Sequence, residues 1–171
     1  MIVIGYPGIG NDILAGENNC IDLNINLFYS SKCYMEKLQE IGIRNYCDVA
    51  VDLSKQGYTV FVSSHEAVIN RLTYIAFTHD EDVAIIYPSI KLKDEWIEKL
   101  KVISENINTA EAYHTWKNAE KMYDQNIEDL ADPDRATKYD FIRYEIGSMD
   151  YDLSDILNRI KINPKYRKRD E

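Results

Sequence analysis

Five short apolar or β-branched runs recur along the chain with helix-patterned stretches between them. No other feature of the sequence restricts the fold as much. The runs are Met1–Gly5, Cys20-Ile21-Asp22-Leu23, Thr59-Val60-Phe61-Val62, Val83-Ala84-Ile85-Ile86-Tyr87 and Phe141-Ile142-Arg143-Tyr144-Glu145-Ile146. Strands of a parallel sheet are covered by helices on both faces, so they read as unbroken apolar runs rather than alternating ones. The repeat therefore predicts an α/β three-layer sandwich around a five-stranded, mainly parallel sheet. With 171 residues, 45% of them hydrophobic, one well-buried domain is affordable, and no Pro/Gly/Ser-rich linker suggests two. Residues 1–160 read as that domain, with a helical arm or lid at about 91–134 and a tail at 161–171.

The helices have recognisable ends. A short helix is expected from Gly10 or Asn11 to the turn formers Gly16-Glu17-Asn18-Asn19. Ser30-Ser31 can cap a helix whose face includes Tyr34, Leu38 and Ile41; Gly42 interrupts it, Tyr46, Val49, Ala50 and Leu53 resume the spacing, and Gly57 closes it. Ser63 and Ser64 cap a helix carrying Val68, Leu72 and Ile75. The helix after Pro88 buries Leu92, Trp96, Leu100 and Ile103. Asn108-Thr109-Ala110-Glu111 resembles a capping box and opens a long helix with a stripe of Tyr113, Trp116, Tyr123, Ile127 and Leu130, a pattern that predicts packing on its own domain. A last helix is expected over about Leu153 to Ile160.

Directly after the first run stands Gly5-Tyr6-Pro7-Gly8-Ile9-Gly10-Asn11-Asp12. A phosphate-cradling loop has a glycine, four residues, a second glycine, a lysine and then serine or threonine, between a strand and a helix. Both glycines are in place. Asn11 occupies the lysine position and Asp12 the hydroxyl position. In open α/β sheets ligands bind at the carboxyl ends of the strands, which collects Gly8 to Asp12, Asp22, Ser63, Ser64, His65 and Ser89 as candidates.

Charge narrows the partners. In the tail, Lys161, Lys165, Arg167, Lys168 and Arg169 face only Asp170 and Glu171, a net +3, which leaves −12 on residues 1–160 of the −9 total. Such a body disfavours nucleic acid and favours a protein with a basic surface. No apolar run reaches the length of a membrane span, and the start reads as a strand rather than a signal peptide. Cys20, Cys33 and Cys47 are odd in number, fit a reducing cytoplasm and match no metal spacing.

The stretches Gly5–Gly10, Cys20–Leu23, Gln56–His65 and Tyr87–Trp96 together resemble the P-loop nucleotide and nucleoside kinases, and most nearly adenylate-kinase-like proteins of bacteria and their phages. The resemblance covers residues 1 to about 160. It implies a P-loop NTPase fold, a nucleotide site at Gly5, Gly8, Ile9, Gly10, Asn11 and Asp12, and ATP or another nucleotide with Mg²⁺ as cofactor. The departures fall on the working residues. An asparagine at 11 can donate hydrogen bonds but carries no charge. Asp12 could ligate Mg²⁺ as a hard oxygen donor, yet it adds negative charge where phosphate should sit. Relative to lysine and a hydroxyl, the pair changes the local charge by −2. Phosphoryl transfer rests on positioning and charge stabilisation, so that change strikes its main contribution.

Residues 83–134 contain no arginine, whereas the resemblance implies arginines in or near a lid; Arg135 is the nearest. The 104–134 arm sets eight carboxylates, Glu105, Glu111, Glu120, Asp124, Glu128, Asp129, Asp132 and Asp134, against Lys117 and Lys121. Asp22 and His65 are the remaining candidates for chemistry, against the plainer roles of a turn cap and a surface residue. His79 and His114 have no partner pattern. The combined expectation is a catalytically degenerate, cytoplasmic pseudoenzyme that binds or inhibits a protein partner through its acidic surface, with or without nucleotide. The alternative is an active nucleoside or nucleotide kinase in which Asp12 holds Mg²⁺ and a lysine of the 91–101 helix replaces the missing one.

Overall fold

A computed structural model of the chain describes residues 1–10, 14, 19–28, 36–79, 82–132 and 141–162. Among them are five strands, β1 (Ile2–Gly5), β2 (Cys20–Asp22), β3 (Thr59–Ser63), β4 (Val83–Pro88) and β5 (Ile142–Ile146). The helices are α1 (Glu36–Lys55), α2 (Glu66–His79), α3 (Lys93–Ile107), α4 (Ala110–Ala131) and α5 (Leu153–Ile162). The strands form one sheet in the order β2-β3-β1-β4-β5, and every pairing is parallel, so the sheet is parallel throughout rather than mainly so.

Neighbouring residues on a strand point to opposite faces. Ile2, Val3 and Ile4 are all fully buried, as are Ala84, Ile85 and Ile86, so the central strands are covered on both sides. That arrangement fits a three-layer sandwich. The chain leaves β1 towards β2, whereas the connections from β2, β3 and β4 all run the other way across the sheet. β1 is therefore where the direction of winding reverses, and the crevice beyond its carboxyl end is where such sheets bind ligands.

The helix α1 runs unbroken through Gly42, which is buried. Its buried face is Tyr46, Cys47, Ala50, Val51 and Ser54, whereas Leu38 and Ile41 are exposed, contrary to the sequence expectation. Burial pushes the Cys47 thiol up to about 12, which keeps it an inert core residue. Gly57 does end α1: at φ +93° it lets its own N–H reach Ser54 O and Tyr58 N–H reach Leu53 O. The capping box is displaced by one residue. Asn108 is left-handed and closes α3, and Thr109 caps α4 by accepting from Ala112 N–H. Glu111 instead accepts from Asn26 Nδ2 at 2.6 Å.

The long α4 stripe turns inward. Ala119, Tyr123, Ile127 and Leu130 are buried, Trp116 is half-buried, and only Tyr113 at its first turn is exposed. α4 packs against α3 and against β4, so the 91–131 hairpin is part of the domain's own core. The expected first helix lies largely outside the described residues, as do Ser30, Ser31, Tyr34, Asp134, Arg135 and the tail beyond Ile162.

Candidate functional site

The glycine loop follows β1 as expected, and its course is set by contacts from distant parts of the chain. Gly8 and Gly10 have φ of +86° and +91°, conformations that favour glycine. Ile9 is buried, and a Cβ on Gly5 would stand 2.5 Å from Ile9 Cδ1. The Tyr6 amide continues the sheet by donating to Ile86 O, and the Ile9 amide donates back to Tyr6 O at 3.3 Å.

Helix α3 then presses on the loop. Trp96 is fully buried and donates its indole N–H to Pro7 O at 2.9 Å. A Cβ on Gly8 would come within 2.9 Å of Leu100 Cδ2 and 3.4 Å of Trp96 Nε1, so the glycine is required by the space as well as by φ. Tyr151, just before α5, stacks on Trp96 with ring centroids 5.8 Å apart. Its hydroxyl donates to Ile9 O at 2.9 Å and lies 3.3 Å from Gly8 O. Lys99 Nζ donates to that hydroxyl at 2.9 Å and sits 4.6 Å and 4.9 Å from the centroids of Trp96 and Tyr151. The carbonyls of three successive loop residues thus meet side-chain donors of the domain itself.

A cavity of about 500 Å³ opens on the other side of the loop. Tyr6 and Pro7 bound it just after β1, Ser63, Ser64 and His65 at the end of β3, and Glu66, Ile69 and Asn70 from the first turns of α2. The roof is α4, which contributes Thr115, Asn118, Ala119, Asn126, Asp129 and Leu130. The described lining therefore holds two carboxylates, three carboxamides and several hydroxyls, with no lysine or arginine. Burial pushes the Tyr6 phenol up to about 12, partly offset by its side-chain hydrogen bond with Asn126. Tyr6 also meets Tyr123 edge-on at 5.8 Å, and Tyr123 donates to Ser89 O at 3.0 Å.

The sequence candidates divide between these surroundings. Ser63, Ser64 and His65 line the cavity, although Ser63 Oγ also accepts from His65 N–H, a turn-capping role. Gly5, Gly8, Ile9 and Gly10 form the clamped loop. Asn11 and Asp12 lie outside the described residues. Asp22 is exposed at the end of β2 and is not among the lining residues. Beside it, the buried Tyr46 hydroxyl ties two strand ends together, donating to Leu23 O and accepting from Ser63 N–H, both at 2.9 Å. Ser89 is structural: it is buried, its side chain caps the turn at 90–92, and its carbonyl takes the Tyr123 hydroxyl. Among the described residues, no three His, Cys, Asp or Glu side chains group to hold a metal ion, and no helix is long and apolar enough to cross a membrane.

Sequence reasoning missed the α4 wall. Thr115, Asn118, Asn126 and Asp129 share a helical face by their spacing of three, eight and three, but polar residues at that spacing read equally as a solvated face. Comparison with known proteins adds no further constraint: no family model matches the chain, and no curated protein or solved structure matches it either.

Proposed function

We propose that this chain is a catalytically degenerate relative of the P-loop nucleotide kinases that works as a binding or regulatory protein rather than as a phosphotransferase. The observation that carries the reading is the cavity beside the glycine loop, whose described lining presents Glu66 and Asp129 and no cationic side chain from lysine or arginine. A transferring phosphoryl group is stabilised by positive charge aimed at its oxygens, and the described lining offers none from lysine or arginine. The asparagine at 11 and the aspartate at 12 point the same way. The acidic face of α3 and α4 then becomes the working surface. Glu105, Glu120, Asp124 and Glu128 are exposed along it, suited to a partner with a basic surface.

An active kinase is the second reading, and Lys99 is the residue that favours it, as the α3 cation linked to the loop through Tyr151. Two aromatic rings and the Tyr151 hydroxyl already engage that ammonium, which is why the first reading is preferred. Calorimetry with ATP and GTP in the presence of Mg²⁺ separates the two. The pseudoenzyme predicts no binding by wild type and gain of binding by Asn11→Lys/Asp12→Ser. Wild-type binding accompanied by phosphate transfer would establish the kinase. A pull-down whose captured partner is lost on charge reversal of Glu120 and Glu128 would locate the protein interface.

A further inference from the structure

We infer that Lys99 is a positioning residue for the glycine loop, acting through Tyr151 on the direction in which the loop's peptide groups face. This goes beyond the binding role proposed above and does not depend on whether the chain transfers phosphate. It gives the α3 lysine a task directed at the protein's own backbone rather than at a ligand.

Helical spacing brings the parts together. Trp96, Lys99 and Leu100 stand three and four positions apart on α3 and so share one face. Trp96 and Leu100 are buried against Pro7 and Gly8, which sets that face on the loop. Tyr151 arrives from the turn between β5 and α5. Asp152 caps α5 by accepting from Ser154 N–H at 2.8 Å, which fixes the chain next to Tyr151. The Trp96 and Tyr151 rings stack, and the Lys99 ammonium lies over both, so it is held within reach of the Tyr151 hydroxyl.

A peptide group is planar and trans, so its C=O and N–H point in opposite directions. Pro7 O meets the Trp96 indole, which turns the Gly8 N–H away from α3. Ile9 O meets the Tyr151 hydroxyl, which turns the Gly10 N–H away from that ring. The Ile9 N–H between them is used within the loop, on Tyr6 O. A phenol has one hydrogen to donate and lone pairs with which to accept. Lys99 Nζ donates to the Tyr151 oxygen at 2.9 Å while the Tyr151 hydrogen goes to Ile9 O, also at 2.9 Å. A charged donor polarises the hydroxyl and strengthens its onward bond, as in other chains of hydrogen bonds. Lys99 therefore holds the Ile9–Gly10 peptide through one intervening side chain. Trp96 holds the Pro7–Gly8 peptide by a direct bond, which makes the Pro7 carbonyl an internal reference.

The test reads the carbonyl carbon shifts of Pro7 and Ile9 in the ¹³C,¹⁵N-labelled full chain, through the amides of Gly8 and Gly10. A carbonyl carbon moves upfield when its oxygen loses a hydrogen bond. Tyr151→Phe keeps the ring and deletes the hydroxyl, so it should move Ile9 upfield and leave Pro7 in place. Lys99→Met keeps an aliphatic stem over the rings and deletes the ammonium, so it should move Ile9 in the same direction by less. The deciding arm is the double-mutant cycle: in the Tyr151→Phe background, Lys99→Met should add no further shift at Ile9. Wild-type shifts at the buried strand residues Ile4 and Ile85 show that each variant is folded. An Ile9 carbonyl unmoved by either single substitution, or an equal effect of Lys99→Met with and without the Tyr151 hydroxyl, would overturn the inference.

Discussion

Helices α3 and α4 follow β4 one after the other and pack against each other, yet they treat the carboxyl edge of the sheet in opposite ways. α3 closes on the glycine loop, placing Trp96 and Leu100 against Gly8 and an indole N–H on Pro7 O. α4 buries Tyr123 and Ile127 below the edge but holds Thr115, Asn118, Asn126 and Asp129 around open space. One side is packed with its loop carbonyls met by side chains, and the other lines a polar cavity. A phosphate site needs its cations and open space at the glycine loop. Among the described residues the cavity lies beside the loop, and its lining includes no lysine or arginine.

The contrast should appear most strongly as stability. Trp96→Ala removes a fully buried indole and its bond to Pro7 O, so it should cost about 3–5 kcal/mol in urea unfolding. A smaller loss would mean that α3 does not clamp the loop.

Tyr6 belongs to both regions, and its ionisation tests its burial. Its folded pKa lies above the free value of 10.0, so its contribution is complete below pH 10 and is lost as pH rises from 10 towards about 12. Tyr6→Phe should flatten the part of the alkaline stability loss that falls in this window; an unchanged profile would place the phenol in solvent.

Gly8→Ala combines a left-handed backbone with a 2.9 Å approach to Leu100 Cδ2 and should cost about 1–3 kcal/mol. Tyr151→Phe keeps the stacking on Trp96 but deletes the hydroxyl between Lys99 and Ile9 O, for about 1 kcal/mol. On the open side, Asn118→Ala should move stability by less than about 0.5 kcal/mol. A loss as large as that of Tyr151→Phe would mean that the α4 wall is packed rather than lining a cavity.

The strands were legible because burial on both faces writes itself as apolar runs such as Val83 to Tyr87. The inward turn of α4 was legible from its stripe for the same reason. Helix α1 was less so: a mid-helix glycine reads as a break, but Gly42 is buried and the helix continues through it. The loop glycines could be read from spacing, whereas their clamp could not. Trp96 lies 89 positions from Pro7 and Tyr151 lies 142 from Ile9, so only the folded chain brings them together. The cavity's α4 wall was hidden because carboxamides facing a cavity and carboxamides facing solvent look alike in sequence.

Whether the clamped loop receives phosphate is best read at its own amides, residue by residue. In a titration of the ¹⁵N-labelled chain with ATP and Mg²⁺, the amides of Gly8, Ile9 and Gly10 should not move. Saturable shifts at these three amides would instead place a bound phosphate in the loop despite Trp96 and Tyr151.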